Sequence, residues 1–184
     1  MDSSLPKVDN PISTATRKIT HIDCILEPKD GVGGLYLGSL RGAQDVITLL
    51  NLKINSVLTV AAGTRLRYDV DLMANHTIIP AEDDEEYDLA KDFEEAIEFI
   101  SETIKSGNVF VHCFAGVSRS ATIVLAYLIY ELKMELQAAL KHVKERRWIV
   151  NPNAGFLKQL ADFEKKLRLK PSADDPKDQT LTNE

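Results

Sequence analysis

The apolar positions change period several times along the chain, and each change marks an element. His21 to Leu26 alternates, and after the turn signal PKDGVGG the run LYLGS reads as a second short strand, so the chain starts hairpin-like. Val46, Leu49 and Leu50 are spaced as one helix face, and INSVLTVA from Ile54 to Ala61 is an apolar strand of the kind a parallel sheet buries on both sides. His76 to Ile79 adds a short strand that Pro80 ends. From Asp88 to Ser106 the residues Leu89, Phe93, Ile97, Ile100 and Ile104 share one side of an amphipathic helix closed by Gly107. Val109, Phe110 and Val111 make a buried strand, and the run ATIVLAYLIY after Ser120 reads as a buried helix. Leu136, Ala139, Leu140 and Val143 define a further helix. A last one, beginning at Asn151, buries Phe156, Leu157, Leu160, Phe163 and Leu167. Strands alternating with helices predict an α/β fold, a short mostly parallel sheet flanked by helices. No internal repeat is present.

Composition bounds this picture. The 184 residues suit one domain, placed at 19–169, with a mobile arm before it (1–18, carrying Pro6, Pro11 and STAT) and a polar, disordered tail at 170–184. Hydrophobic content of 44% and charged content of 27% are ordinary for a soluble domain, while the net charge of −6 argues against a nucleic-acid partner. The longest apolar run, Ala121 to Tyr130, is short of the roughly 20 residues that cross a bilayer, and MDSSLPKVDN has neither a signal-peptide nor a myristoylation pattern. With only Cys24 and Cys113, a reducing compartment is expected: a cytoplasmic monomer with no membrane partner, Cys24 being a buried strand residue. The cluster KERR suits a helix C-terminus; as an import signal it would add the nucleus. The histidines show no ligand spacing, so neither metal nor cofactor is expected.

The candidate chemistry lies in VFVHCFAGVSRS, from Val109. A strand delivers Cys113 into a loop of five residues, Phe114, Ala115, Gly116, Val117 and Ser118, before Arg119 and Ser120 open a helix. Successive backbone N–H groups and a helix N-terminus form a concavity suited to a phosphate or sulfate dianion. Helix N-termini and neighbouring cations also favour the thiolate of a cysteine, making it a nucleophile open to peroxide. Arg119 offers a planar fork that clasps two phosphoryl oxygens, and Gly116 permits the tight fold. Taken singly, Cys113 could be a core cysteine and Arg119 a surface cation. Departure of a seryl or tyrosyl oxygen needs a proton, and this loop holds no acid. EDDEEYD, residues 82–88, has six acids in seven positions, whose mutual repulsion helps one keep its proton. Arg65 and Arg67 follow a strand where α/β sheets line a crevice, although lone arginines are mostly surface charge.

The element HCFAGVSRSAT resembles the signature loop of the cysteine-based protein tyrosine phosphatases, in particular their dual-specificity branch. LYLGS followed by Ala43, Gln44 and Asp45, the run IPAEDDEEYDL and the segment PNAGFLKQL resemble the same branch, so the likeness covers about residues 20–168. The resemblance implies hydrolysis of phosphotyrosine and phosphoserine or phosphothreonine through a cysteinyl-phosphate. Cys113 would be the nucleophile, Arg119 with residues 114–118 the phosphate cradle, and Ser120 the group that stabilises the departing thiolate. The family register points to Asp83 as general acid, with Asp84 next. His112 would orient the loop and Asn153 support it, although an asparagine before a helix is also a plain N-cap. Phosphoproteins are the implied substrates and a protein kinase is a candidate partner. Phosphatases of phosphoinositides, glucans or RNA ends share the chemistry, but no lysine or arginine lies within residues 114–118 to meet a multiply phosphorylated group. A catalytically silent phosphoprotein-binding module would lack the nucleophile, arginine or acid, and all three are present.

Overall fold

The computed structural model describes residues 18–68 and 73–169. The expected tail, and the expected arm but for Lys18, lie outside the described residues. Five strands form one sheet in the order β1 (Ile22–Leu26), β2 (Leu35–Ser39), β5 (Asn108–Cys113), β3 (Ile54–Val60), β4 (Asn75–Ile79). Only β1 runs antiparallel, against β2, and the other neighbours are parallel. Asp30 and Gly31, both at positive φ, close a two-residue turn between Lys29 and Val32, as the Asp-Gly pair asks. Because β5 is inserted between β2 and β3, its carboxyl end lies at the sheet centre, where open α/β sheets place ligands.

The period-2 alternation of β5 divides the core. Val109 and Val111 face a large cluster with the longer helices, while Phe110 faces a smaller one with Tyr36, Leu49 and Val57. The smaller side is covered by α1 (Leu40–Gln44) and α2 (Val46–Asn51), the larger by α3 (Phe93–Thr103), α4 (Arg119–Glu131), α5 (Leu136–Arg146) and α6 (Ala154–Leu169). The sequence of α4 has no charge between Ala121 and Tyr130, and that helix is accordingly enclosed by α3, α5 and α6. No described helix is long and apolar enough to cross a membrane.

Four local expectations need correction. α2 is too short to sustain a face, so Leu49 is buried and Leu50 is 46% exposed. The helix expected from Asp88 begins instead as a 3₁₀ turn, Ala90–Asp92, and becomes α3 only at Phe93. The final helix starts at Ala154, since the Asn153 carboxamide oxygen accepts from Phe156 N at 2.9 Å and caps it. Cys24 does lie on a strand, but at the sheet edge it is half-buried rather than enclosed.

Candidate active site

The loop after β5 is held by its own carbonyls. Leu40 N donates to Phe114 O, the Arg147 guanidinium to Ala115 O and Gly116 O, Asn151 N to Val117 O, and Thr122 N to Ser118 O, all between 2.8 and 3.1 Å. With five successive carbonyls occupied by the surrounding protein, the amides are left to the concave side, where an oxyanion would sit. At its floor the Cys113 sulfur accepts from Gly116 N at 3.2 Å and from Ser120 Oγ at 3.1 Å, and both donors favour negative charge on sulfur. Gly116 has φ 69°, and a Cβ there would lie 2.3 Å from Gly38 O. Cys113 itself is 1% exposed, so the sulfur lies at the bottom of the cradle and is reached through it. Phe114, by contrast, is 66% exposed at the rim.

Beneath the loop His112 is fully buried and stacks on Phe110. Burial pushes its pKa down to about 4, only partly opposed by its hydrogen bond to Cys113 O, so the ring is neutral. A carbonyl can only accept, which puts the proton on Nδ1, 3.2 Å from Cys113 O. Nε2 then accepts from Thr59 Oγ1 at 2.8 Å, and Thr59 accepts from His76 Nε2 at 3.0 Å. The orienting role expected of His112 therefore rests on a chain of three side chains, two of which the sequence did not single out.

Arg147 was also missed. It is 2% exposed, donates to Gly116 O (2.8 Å), Ala115 O (3.0 Å) and Thr20 O (2.9 Å), and pairs with Asp23 at 2.7 Å. Within KERR it looked like one of several helix-end cations; its place between bulky Arg146 and Trp148 gave no burial signal. With Arg147 enclosed, KERR is not a free basic cluster.

The acid run approaches from the end of β4. Asp83 Oδ1 accepts from Ser118 Oγ at 2.7 Å and Asn153 Nδ2 at 3.1 Å, and its Oδ2 lies 3.7 Å from Arg119 Nε. Asp84 instead accepts from Glu86 N at 2.8 Å and closes a turn of its own loop. Arg119 donates to Ala81 O at 3.1 Å, and its Nε is buried without a hydrogen-bond partner among the described residues. Such an unsatisfied donor is uncommon away from functional sites. Asn153 thus caps α6, steers Asp83 and, through its backbone N, donates to Ser118 Oγ at 3.2 Å. Arg65 and Arg67 are exposed and make no ion pair among the described residues.

Cys24 lies level with Phe110, two strands away from β5, about 14 Å from Cys113 by strand spacing and rise. A disulfide needs Cα atoms within about 7 Å, so the fold does not permit this pairing. Burial, with the charge of Glu27, pushes the Cys24 pKa up to about 11, which keeps it a thiol.

A cysteine and an arginine framing one amide-lined loop, with a carboxylate docked on its edge, define a cysteine-dependent phosphatase centre. The family described as "Dual specificity phosphatase, catalytic domain" matches residues 35–166, and the chain belongs to it. Dual specificity protein phosphatase 1 of Arabidopsis thaliana is 41% identical over 137 residues, 74% of this chain and 68% of that protein. Dual specificity protein phosphatase 9 of Homo sapiens is 39% identical over 136 residues, covering 73% of this chain but only 35% of that longer relative. Among solved structures, DUSP15 is 34% identical with a TM-score of 0.68, over 76% of this chain and 91% of that one. Human DUSP28, at 24% identity, shares the fold with a TM-score of 0.73, over 84% and 99%. The chain therefore carries a protein phosphatase domain of dual specificity, acting on phosphotyrosine and on phosphoserine or phosphothreonine.

Proposed function

We propose that Cys113, Arg119, Asp83 and Ser120 carry the hydrolysis in this chain. The Cys113 sulfur attacks phosphorus, the bond to the leaving oxygen breaks, and Asp83 donates its proton to that oxygen. Arg119 and the amides of residues 114–118 meet the charge on the equatorial oxygens. Water then attacks the cysteinyl-phosphate, Asp83 takes the proton, and the sulfur leaves as a thiolate received by Ser120 and Gly116 N. The observation that carries this reading is Asp83 tied by Ser118 to the same loop whose floor is the Cys113 sulfur. The chain works on phosphoproteins, a protein kinase among them, as a monomer without a membrane or nucleic-acid partner. A reducing compartment, the cytoplasm, suits a catalytic thiol.

Cys113→Ser should abolish turnover of an aryl phosphate while phosphopeptide binding, measured by calorimetry, persists. Vanadate should inhibit and EDTA should not. Substantial turnover by the serine variant, or dependence on added metal, would overturn the covalent route.

A further inference from the structure

Within the acid loop the internal hydrogen bonds are short-range turns: Glu86 N donates to Asp84 Oδ1 at 2.8 Å, Tyr87 N to Asp84 O at 3.2 Å and Leu89 N to Tyr87 O at 3.1 Å. From Ala81 to Leu89 the loop contains neither helix nor strand, and residues 82–86 are all exposed. Its far end is fastened by the buried Leu89 side chain and by Gln159. Gln159 Oε1 accepts from both Leu89 N and Ala90 N at 2.9 Å, and its Nε2 donates to Tyr87 O at 2.8 Å. A single carboxamide thus binds three backbone groups where the loop ends, two of which, Leu89 N and Tyr87 O, also pair with each other at 3.1 Å. One turn earlier on α6, and on the same face, Gly155 lies under the loop: a Cβ there would be 1.9 Å from Glu85 O. The loop therefore rests against bare backbone at Gly155 and is pinned at Gln159, while Asp83 lies upstream against Ser118 and Asn153.

We infer that Gln159 and Gly155 are positioning residues for the general acid: the first two turns of α6 form a template that holds the Asp83 loop against the phosphate cradle before substrate arrives. The inference rests on the role proposed for Asp83. It explains how a carboxylate on an exposed loop keeps a fixed distance from Ser118. It also means that proton delivery depends on a helix remote in sequence from both loops. A carboxylate displaced by about 1 Å can lose about 10²-fold in rate, without any change in the groups that bind phosphate.

The test uses the full chain and two substrates, phenyl phosphate, whose leaving oxygen needs a proton, and p-nitrophenyl phosphate, whose oxygen departs more readily as an anion. Gln159→Met keeps the length of the side chain but none of its hydrogen bonds. It should lower kcat for phenyl phosphate by about 10- to 100-fold and for the nitrophenyl ester by much less, with vanadate affinity unchanged. In an Asp83→Asn background the same change should cost nothing more. Gln159→Glu, which still accepts from the two amides, should recover part of the loss. Gly155→Ala should repeat the leaving-group pattern, although alanine is the better helix former. Equal losses on both substrates, full additivity with Asp83→Asn, or wild-type rates in Gln159→Met and Gly155→Ala would overturn the inference. An inert Asp83→Asn would instead overturn the acid assignment on which it rests.

Discussion

The two loops that meet at Ser118 are built in opposite ways. The phosphate loop is held through its backbone: five carbonyls in a row are fixed from outside, and its shape depends little on its own side chains. The acid loop is held through side chains, Ser118 and Asn153 on Asp83 and Gln159 on the three residues that leave it. A cradle for a tetrahedral anion must present many amides at once, which contiguous backbone does best. A proton donor needs one atom at one place, and a few hydrogen bonds from a rigid helix supply that.

This contrast can be broken most sharply at the acid. Asp83→Asn should depress kcat by roughly 10²- to 10⁴-fold and remove the basic limb of the pH–rate profile, the share general acid catalysis contributes. Asp84→Asn loses only a turn within its own loop and should stay within a few-fold of wild type. The reverse order would move the catalytic role by one residue.

On the other side, Arg147→Met removes the donors to two loop carbonyls and strands the half-buried Asp23. Breaking a buried pair costs about 3 to 5 kcal/mol; Asp23 keeps some access to water, so about 3 kcal/mol is expected in urea denaturation. Arg147→Lys should recover much of the stability through Asp23. A single ammonium cannot span both carbonyls, so vanadate affinity should stay weakened. If the lysine variant binds vanadate like wild type, the loop does not depend on this clamp.

A further expected effect lies beneath the loop and depends on pH. An unfolded histidine takes up its proton near 6.5, whereas burial holds His112 neutral down to about 4. Between those values the unfolded chain binds a proton the native state refuses, so stability falls as pH drops through that window. The loss amounts to about 3 kcal/mol by its lower end. His112→Asn should flatten the dependence of unfolding free energy on pH between 6.5 and 4. An unchanged slope would show that His112 titrates normally.

Much of this was legible before any coordinates. The parallel sheet, the enclosed α4 and the strand, loop and helix around Cys113 follow from period and turn residues, and Val109, Phe110 and Val111 are buried on a strand as expected. Boundaries drifted where tertiary contacts overrode local preference. Leu89 and Ala90 give their amides to Gln159 and enter a 3₁₀ turn rather than the first turn of α3, and Leu50 faces water because α2 is too short for its period to matter.

By itself the sequence determined the fold class and the phosphate cradle, because both arise from contiguous residues: hydrophobic period chooses strand or helix, and a glycine-containing loop between them presents its own amides. Tertiary structure alone decided which charged and polar side chains serve that cradle. Arg147 reaches the loop across 31 residues, Thr59 meets His112 across 53, and Gln159 pins Tyr87 across 72. Among six acids in seven positions, the one facing Ser118 is chosen by the surface the run folds onto. Local pattern has no access to such choices, because a lone arginine, threonine or glutamine reads as surface until the packed chain supplies the partner that gives it a reason to be buried.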